Sequence, residues 1–224
     1  MLEKTDERLE SCIRLRKTIF KAYRCAKKKK GRTKNAVLFE KTCEEQLNKL
    51  FESFTKRTYK PFPFNAFVAT KPVKREIFAA KFRDRIVHHW VMNEIEPVVD
   101  SQFIYDSYAC RKGKGTLFGV ERLYRSIRKC SQNFAKETYV LKLDIKNFFM
   151  SLDRRRVWGV IRETVAKKYK GEYMALVLYL CETIVMHDPV VDCVRTSHIG
   201  MWDDFPRHKS LFYNKEFFGY ATVP

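Results

Sequence analysis

Residues 139–149 read YVLKLDIKNFF, and this stretch indicates more about the fold than any other part of the chain. Its first five residues are rich in strand formers and alternate with a period of two, which predicts a buried β-strand over 139–143. Asp144 follows at once, so we expect its carboxylate where the strand end opens into a cleft. Such a carboxylate can hold Mg²⁺, because this ion takes one or two carboxylates together with substrate phosphates.

The charge of the chain points to a polyanionic partner. Lys and Arg number 45 against 26 Asp and Glu, for a formal net charge of +19. A basic field of this size is typical of proteins that bind the phosphate backbone of nucleic acids, and a soluble basic protein without a special partner is the alternative. With 45% hydrophobic residues over 224 positions, the chain can bury a core, which excludes a disordered basic tail.

Cysteine usage and hydropathy indicate the compartment. The seven cysteines are odd in number and include no C-x-x-C pair, which argues against a disulfide framework and a four-cysteine zinc site. No stretch approaches the ~20 apolar residues that span a membrane, and the N-terminus lacks a signal-peptide pattern. We therefore expect free thiols in a soluble, cytoplasmic protein without a membrane partner.

Helical periodicity dominates the first third of the chain. Residues 1–25 predict an amphipathic helix, with one face made by Leu9, Cys12, Ile13, Ile19, Phe20 and Tyr23. The basic run KKKKGRTK (27–34) follows, and it is either a solvated linker or an arm that contacts phosphate. A second helical stripe consists of Phe39, Cys43, Leu47, Leu50, Phe51 and Phe54.

The middle of the chain predicts a basic hairpin and two helices. The prolines of RTYKPFPF (57–64) end the preceding helix, and short strands over 65–70 and 75–80 flank Lys71-Pro72-Val73-Lys74. Helical spacing returns over 84–99 and ends near Pro97. The next helix takes Thr116 as its N-cap, and its apolar stripe is Leu117, Val120, Leu123, Tyr124 and Ile127.

After the Asp144 strand the pattern is again helical. It predicts helices over about 154–169 and 172–186, the first capped by Asp153 or Ser151, and loop with short strands from 187 onward. Helices, a hairpin and a strand follow one another without βαβ repetition. The order predicts an α+β fold.

Three blocks, in this order, resemble the first signature motifs of bacterial reverse transcriptases: REIFAAKFRDRIVHHWV (75–91), SYACRKGKGTL (107–117) and YVLKLDIKNFFMSLD (139–153). The version here is most similar to enzymes of diversity-generating retroelements, and retron and group II intron enzymes are more distant. The resemblance covers roughly 39–224. It implies a right-hand polymerase fold, with an N-terminal helix and linker over 1–38, fingers over 39–135 and a partial palm over 136–224, built from an antiparallel sheet with packed helices.

The resemblance also implies residue roles at the catalytic centre. Asp144 is similar to the first catalytic aspartate, which binds both Mg²⁺ ions of a two-metal nucleotidyl transfer, and the carbonyl of Ile145 is a further metal ligand. Phe149 resembles the aromatic gate that excludes a ribose 2′-hydroxyl and so selects deoxynucleoside triphosphates.

Basic residues take the other implied roles. Lys71 and Arg75 resemble the fingers residues that close over the incoming triphosphate, and the implied template-side residues are Arg85, Arg111, Lys112 and Lys114. Without the resemblance, an exposed basic loop is the better explanation for Lys71, Arg75 and the three cations of 111–114. The cluster Arg83-Asp84-Arg85 is best interpreted as ion pairing that fixes the fingers, with Arg85 near the template.

The sequence lacks the remaining carboxylates of such a centre. Family members supply them from a Tyr-x-Asp-Asp hairpin after a Gly-Leu-Pro block, and we expect that block at about residues 219–224, where the sequence ends. Asp203-Asp204 does not replace them, because Pro206 would break the second strand of the hairpin. The sequence therefore predicts an N-terminal portion of a reverse transcriptase that is inactive alone.

Two functions remain open from the sequence. The first is an RNA-directed DNA polymerase that copies template RNA into cDNA with a primer and deoxynucleoside triphosphates, assisted by a small basic helical accessory protein. The second is a non-catalytic RNA- or DNA-binding module derived from such an enzyme. A basic structural protein would leave the three ordered blocks unexplained.

Overall fold

The computed structural model describes residues 2–28, 30–145, 148–203 and 205–213. Asp204 and the 219–224 end lie outside these ranges. The described chain is α+β, with elements α1 (Leu2–Lys27), α2 (Lys34–Glu40), α3 (Cys43–Thr55), β1 (Phe64–Ala69), β2 (Arg75–Ala79), α4 (Phe82–Asp100), α5 (Thr116–Cys130), α6 (Phe148–Ser151), α7 (Arg154–Lys168), α8 (Met174–Met186), β3 (Cys193–Arg195), α9 (Ile199–Asp203) and a 3-10 turn (Arg207–Lys209). They fall into two compact units, a first unit of 1–96 with 147–224 and a second unit of 97–146.

The long amphipathic helix predicted at the N-terminus is confirmed as α1, but its buried face differs in part from the prediction. The buried residues are Leu15, Ile19, Ala22, Tyr23 and Ala26. Leu9, Ile13 and Phe20 were predicted on the same face and are 44–60% exposed. At 100° per residue they lie roughly 110° around the helix from the centre of the buried face. The face that packs on α3 is therefore narrower than the apolar stripe.

Trp90 on α4 is the centre of the core of the first unit. Its ring is 1% exposed and makes an edge contact with Phe54 of α3, at 5.2 Å between centroids. Its indole N–H donates to Thr18 Oγ1 of α1 at 2.9 Å, so the one polar atom of the ring is satisfied. Tyr173, at the start of α8, lies 5.7 Å away. One side chain thus joins four helices.

Asp84 near the start of α4 fixes the proline-containing segment before the sheet. The carboxylate is fully buried and accepts hydrogen bonds from the Tyr59 hydroxyl and the Phe62 N–H, both at 2.9 Å. The Arg83 guanidinium donates to the same carboxylate at 2.7 and 3.0 Å, and it also covers the Phe62 ring. The ion-pair interpretation of this cluster is confirmed for Arg83 and Asp84, whereas the Arg85 side chain makes no ion pair with a described residue. The segment that leads into β1 is held by a charge that has no contact with water.

The basic hairpin is confirmed, and the sheet around it is mixed. β1 pairs antiparallel with β2, with Asn65 opposite Ala79 and Ala69 opposite Arg75. β3 pairs parallel with the other edge of β1, so the strand order is β2-β1-β3. The described strands therefore form a mixed sheet and not the expected antiparallel palm sheet, because β3 runs parallel to β1.

Predicted helix ends are confirmed closely, except at the end of α4 and the N-cap of α5. Asp153 rather than Ser151 caps α7, since its carboxylate accepts from the Arg155 N–H at 2.9 Å. α4 continues three residues past Pro97, where the sequence predicted its end. A proline in the last turn removes only one intrahelical hydrogen bond, which the helix tolerates there. α5 begins at Thr116 itself, with Gly115 as its N-cap.

The buried strand predicted over 139–143 is wrong. Residues 137–145 have no regular structure, and Tyr139, Leu141 and Leu143 are 80–85% exposed. The apolar stripe of α5 is exposed as well, since no residue of that helix is buried. Apolar periodicity indicates a face that can be buried, but a strand also needs a neighbour for its backbone groups. Residues 139–143 join none of the strands in the described part of the chain.

All seven cysteines are free, as predicted. Cys181 lies buried on α8, and burial raises the pKa of its thiol to about 12. Within the described ranges, no helix combines the length and apolar character that crossing a membrane requires.

We expect Asp84→Ala to lower the free energy of unfolding by about 3–5 kcal/mol, because it leaves the partly buried Arg83 guanidinium and the buried Tyr59 hydroxyl without their shared acceptor. Urea unfolding followed by circular dichroism measures the loss. The control is Glu52→Ala, which breaks an exposed pair with Lys56 and should change stability by under about 0.5 kcal/mol. A loss below about 1 kcal/mol for Asp84→Ala would contradict its role as the anchor.

Acid should destabilise the fold through His88. Burial lowers the pKa of this α4 side chain from 6.5 to about 4, so between these values the unfolded chain binds a proton that the folded chain does not. Stability is therefore lost as the pH falls from about 6.5 to about 4, by at most about 3 kcal/mol. Unfolding of His88→Gln should depend less on pH in this window, and the exposed His198→Gln should behave as wild type. Equal pH profiles for His88→Gln and wild type would exclude this origin.

Candidate nucleic-acid interface

The hairpin places two predicted phosphate-binding residues in solvent. Lys71 lies in the β1–β2 turn and Arg75 is the first residue of β2, and both are exposed. Neither side chain has a hydrogen bond or ion pair to any residue that the structure describes. Because no nearby acid neutralises them, both cations can approach a phosphate, and their role at a triphosphate stays a prediction.

Arg111 holds the loop 101–115 of the second unit together. Its guanidinium binds the Asp100 carboxylate through two nitrogens, at 2.6 and 3.2 Å. It also donates to the carbonyls of Ile104 and Ser107, at 2.9 and 3.1 Å. Hydrogen bonding to Arg111 in turn holds the pKa of Asp100 below its usual value. These contacts use most donors of the guanidinium, so they give Arg111 a structural role beside the predicted nucleic-acid contact.

The two lysines of the same loop differ in environment. Lys114 donates to the Tyr105 carbonyl, and its ammonium lies 4.1 Å from the centroid of the Tyr105 ring. Lys112 is exposed. Gly113 between them has φ +70°, a left-handed conformation in which a residue with a Cβ is strained. The glycine lets the loop turn so that neighbouring lysines have different surroundings.

The predicted catalytic aspartate does not lie in a formed metal centre. Asp144 is exposed on the irregular segment, and Ile145 beside it is 66% exposed. Among the described residues no three His, Cys, Asp or Glu side chains come together as a metal site. Two-metal transfer needs more carboxylate than one exposed aspartate supplies. The described residues therefore do not fit a Mg²⁺ pair, and the expected role of this cofactor stays a prediction.

The last two predicted site residues belong to the first unit. Phe149 lies on α6, is 55% exposed and contacts the Phe148 ring at 5.4 Å between centroids. Arg85 is half-buried on α4. Burial, and then the charge of Arg85, lower the pKa of His89. Arg85 is thus a packed helix residue, and its contact with a template remains a prediction.

A basic row on α1 was not among the predicted sites. Lys17, Lys21 and Arg24 of α1 and Lys28, directly after its last residue, are exposed and recur at intervals of three or four residues, so at helical spacing they lie within about 60° of one another. None of the four side chains has a hydrogen bond or ion pair to another described residue. Lys27, which is not part of this row, differs because its ammonium forms an ion pair with the Glu40 carboxylate at 2.7 Å. The spacing of these cations in the sequence could have indicated the row, but the sequence analysis considered only the apolar face of this helix.

Two grooves meet at Phe20 beside this basic row. The larger has a volume of 1260 Å³ and is basic, lined by Lys17, Phe20, Lys21, Tyr23, Arg24, Cys25, Lys27, Lys28 and Cys43. The smaller has a volume of 440 Å³, lies between α1 and α3 and is mostly apolar, lined by Arg16, Ile19, Phe20, Cys43, Glu44, Leu47, Asn48 and Phe51. Phe20 and Cys43 are common to both. An aromatic ring therefore stands between a cationic surface and an apolar groove.

Comparison with known proteins adds no relative. No protein-family model matches the chain. No curated protein matches it either. The likeness to reverse transcriptases thus rests on the three sequence blocks, and function has to be argued from the residues themselves.

Replacing Arg111 by lysine should loosen the loop 101–115, because one ammonium cannot bind Asp100 through two nitrogens and also reach two carbonyls. Hydrogen exchange followed by mass spectrometry should show faster exchange in this loop. Lys129→Ala, an exposed change on α5, is the control and should leave the loop unchanged. Unaltered exchange in Arg111→Lys would mean that other contacts hold the loop.

Proposed function

We propose that this chain is a nucleic-acid-binding portion of a reverse transcriptase, an RNA-directed DNA polymerase that copies template RNA into cDNA. Its partners in that role are template RNA and primer or cDNA strands. The proposal combines three ordered sequence blocks with a basic surface. The observation that carries it is the set of exposed cations of the first unit that no described acid neutralises.

That observation distinguishes a binding surface from an ordinary solvated one. Surface lysines and arginines in soluble proteins commonly face acids within a few ångström, as Lys49 faces Glu45 at 2.5 Å here. Lys71 and Arg75 on the hairpin lack such partners, and so does the row on α1. The net charge is +19, so a phosphate near an unneutralised cation is attracted by the charge of the whole protein as well as by that cation.

Binding is better supported than catalysis by these residues alone. The described part of the chain brings one predicted catalytic carboxylate, Asp144, to an exposed irregular segment, and no three metal-ligating side chains come together among the described residues. Polymerisation requires carboxylates that hold two ions at once. The non-catalytic module therefore remains the second candidate, and the two functions share the same interface.

We expect residues 1–224 to bind fluorescein-labelled single-stranded RNA, with log Kobs falling linearly as log salt rises, at a slope of about −0.7 for each phosphate contacted. Fluorescence anisotropy between low and high potassium chloride measures this slope. Asp144→Asn should bind equally well, because that carboxylate is not part of the cationic surface. The absence of binding at low salt would refute the proposal.

Primer extension in the same preparation tests whether residues 1–224 polymerise by themselves. With Mg²⁺, an RNA template, a primer and deoxynucleoside triphosphates, no extension is expected from residues 1–224. Extension that is lost in Asp144→Asn would show that the chain is a polymerase by itself and would overturn the view that it only binds.

A further inference from the structure

We propose that α1 and α3 form a binding site for single-stranded nucleic acid, in which phosphates lie along the basic row of α1 and a base stacks on Phe20 at the edge of the apolar groove. The site rests on the proposed function and deepens it, because it assigns the surface and the strandedness of the ligand. Neither the basic row nor the residues of the apolar groove are among those to which the resemblance gives a template or nucleotide role.

The basic row has the length and spacing for a strand of phosphates. Lys17 and Lys28 are 11 positions apart, which is about 16 Å along a helix axis at 1.5 Å per residue. Lys21 and Arg24 lie between them at roughly one-turn intervals. The groove beside them has a volume of 1260 Å³, enough for several linked nucleotides in open solvent. A backbone that follows α1 would meet one cation at each turn.

Phe20 is placed where a base would go. Its side chain is 51% exposed although it is large and apolar, and its ring is held from one side by Tyr23 at 5.7 Å between centroids. Around the helix it lies between the basic row and the buried face. Stacking on an aromatic ring binds any base, and a cationic groove binds any backbone, which together define single-strand recognition.

The smaller groove can receive the face or edge of the same base. Phe51 on α3 forms part of its wall, and its ring is covered by the Arg16 guanidinium at 4.0 Å. Glu44 also lines the groove. A carboxylate repels phosphate but accepts hydrogen bonds from base amino groups. This wall therefore favours the base in the groove and the phosphates on α1.

A duplex or a membrane fits this surface less well. The bases of a duplex are stacked on one another and cannot reach Phe20 without unpairing. A basic amphipathic helix that binds membranes inserts its apolar face into the lipid. In α1 the centre of the apolar face, with Leu15, Ile19 and Ala22, is already buried in the protein core, which leaves only the flank with Leu9, Ile13 and Phe20 exposed.

The test compares two changes on α1 that act through different physics. Lys21→Gln with Arg24→Gln removes two charges and should reduce the magnitude of the salt slope for single-stranded RNA by about 1.4. Phe20→Leu keeps an apolar side chain but removes the ring, so it should weaken binding about tenfold without changing the slope. Binding is measured by anisotropy with labelled oligouridylate, oligothymidylate and an RNA duplex of equal length.

Matched controls lie elsewhere on the chain. Arg156→Gln with Arg162→Gln removes two exposed charges from helix α7, and Phe134→Leu removes an exposed ring, 60% exposed against 51% for Phe20. Both should bind oligouridylate as the wild type does, apart from the small uniform effect of lower net charge. Wild type should bind the single strands more tightly than the duplex.

Three other results would overturn the inference, and each shows which proposal fails. Wild type that binds no nucleic acid refutes the proposed function together with this site. Wild type that binds while the α1 variants bind equally well refutes this site alone and leaves the function to the hairpin and the loop 101–115. α1 variants that lose binding to phosphatidylserine vesicles but not to RNA would identify α1 as a membrane-contacting helix instead.

Discussion

The buried carboxylate of Asp84 is the interaction on which the first unit depends. Two elements meet at it: the segment 57–63, which cannot be helical because of its prolines, and the start of α4. A charge in an apolar interior is stable only when its hydrogen bonds are complete, and here Tyr59, Phe62 and Arg83 complete them. The direction in which the chain enters β1 follows from that requirement.

From this anchor the cationic surface follows. Once β1 is placed, its antiparallel pairing with β2 carries Lys71 and Arg75 to the turn, away from the core. In the same unit, α1 is held by the hydrogen bond from Trp90 to Thr18, which keeps its basic row outward. The packing that stabilises α1 thus also leaves the side chains of this row without an ion-pair partner among the described residues.

Several features could be predicted because they depend on neighbours a few positions apart. The hairpin around Lys71 follows from its turn residues, and the α7 cap at Asp153 follows from one side chain that reaches a nearby N–H. The exposed surroundings of Asp144 could not be predicted in this way. The strand before it needs hydrogen-bond partners that come from distant parts of a chain, and no periodicity in residues 139–143 can supply them.

Local periodicity and composition are sufficient to predict the α+β class, the positions of the main helices and the strong positive charge. Tertiary structure alone decided which side chains are buried: Ile19 and Phe20 are adjacent and equally apolar, yet one is 2% exposed and the other 51%. Whether a side chain is buried depends on which elements pack against it, and those elements come from distant parts of the chain. In α1 this packing buries Ile19 and leaves the ring of Phe20 exposed beside a row of cations.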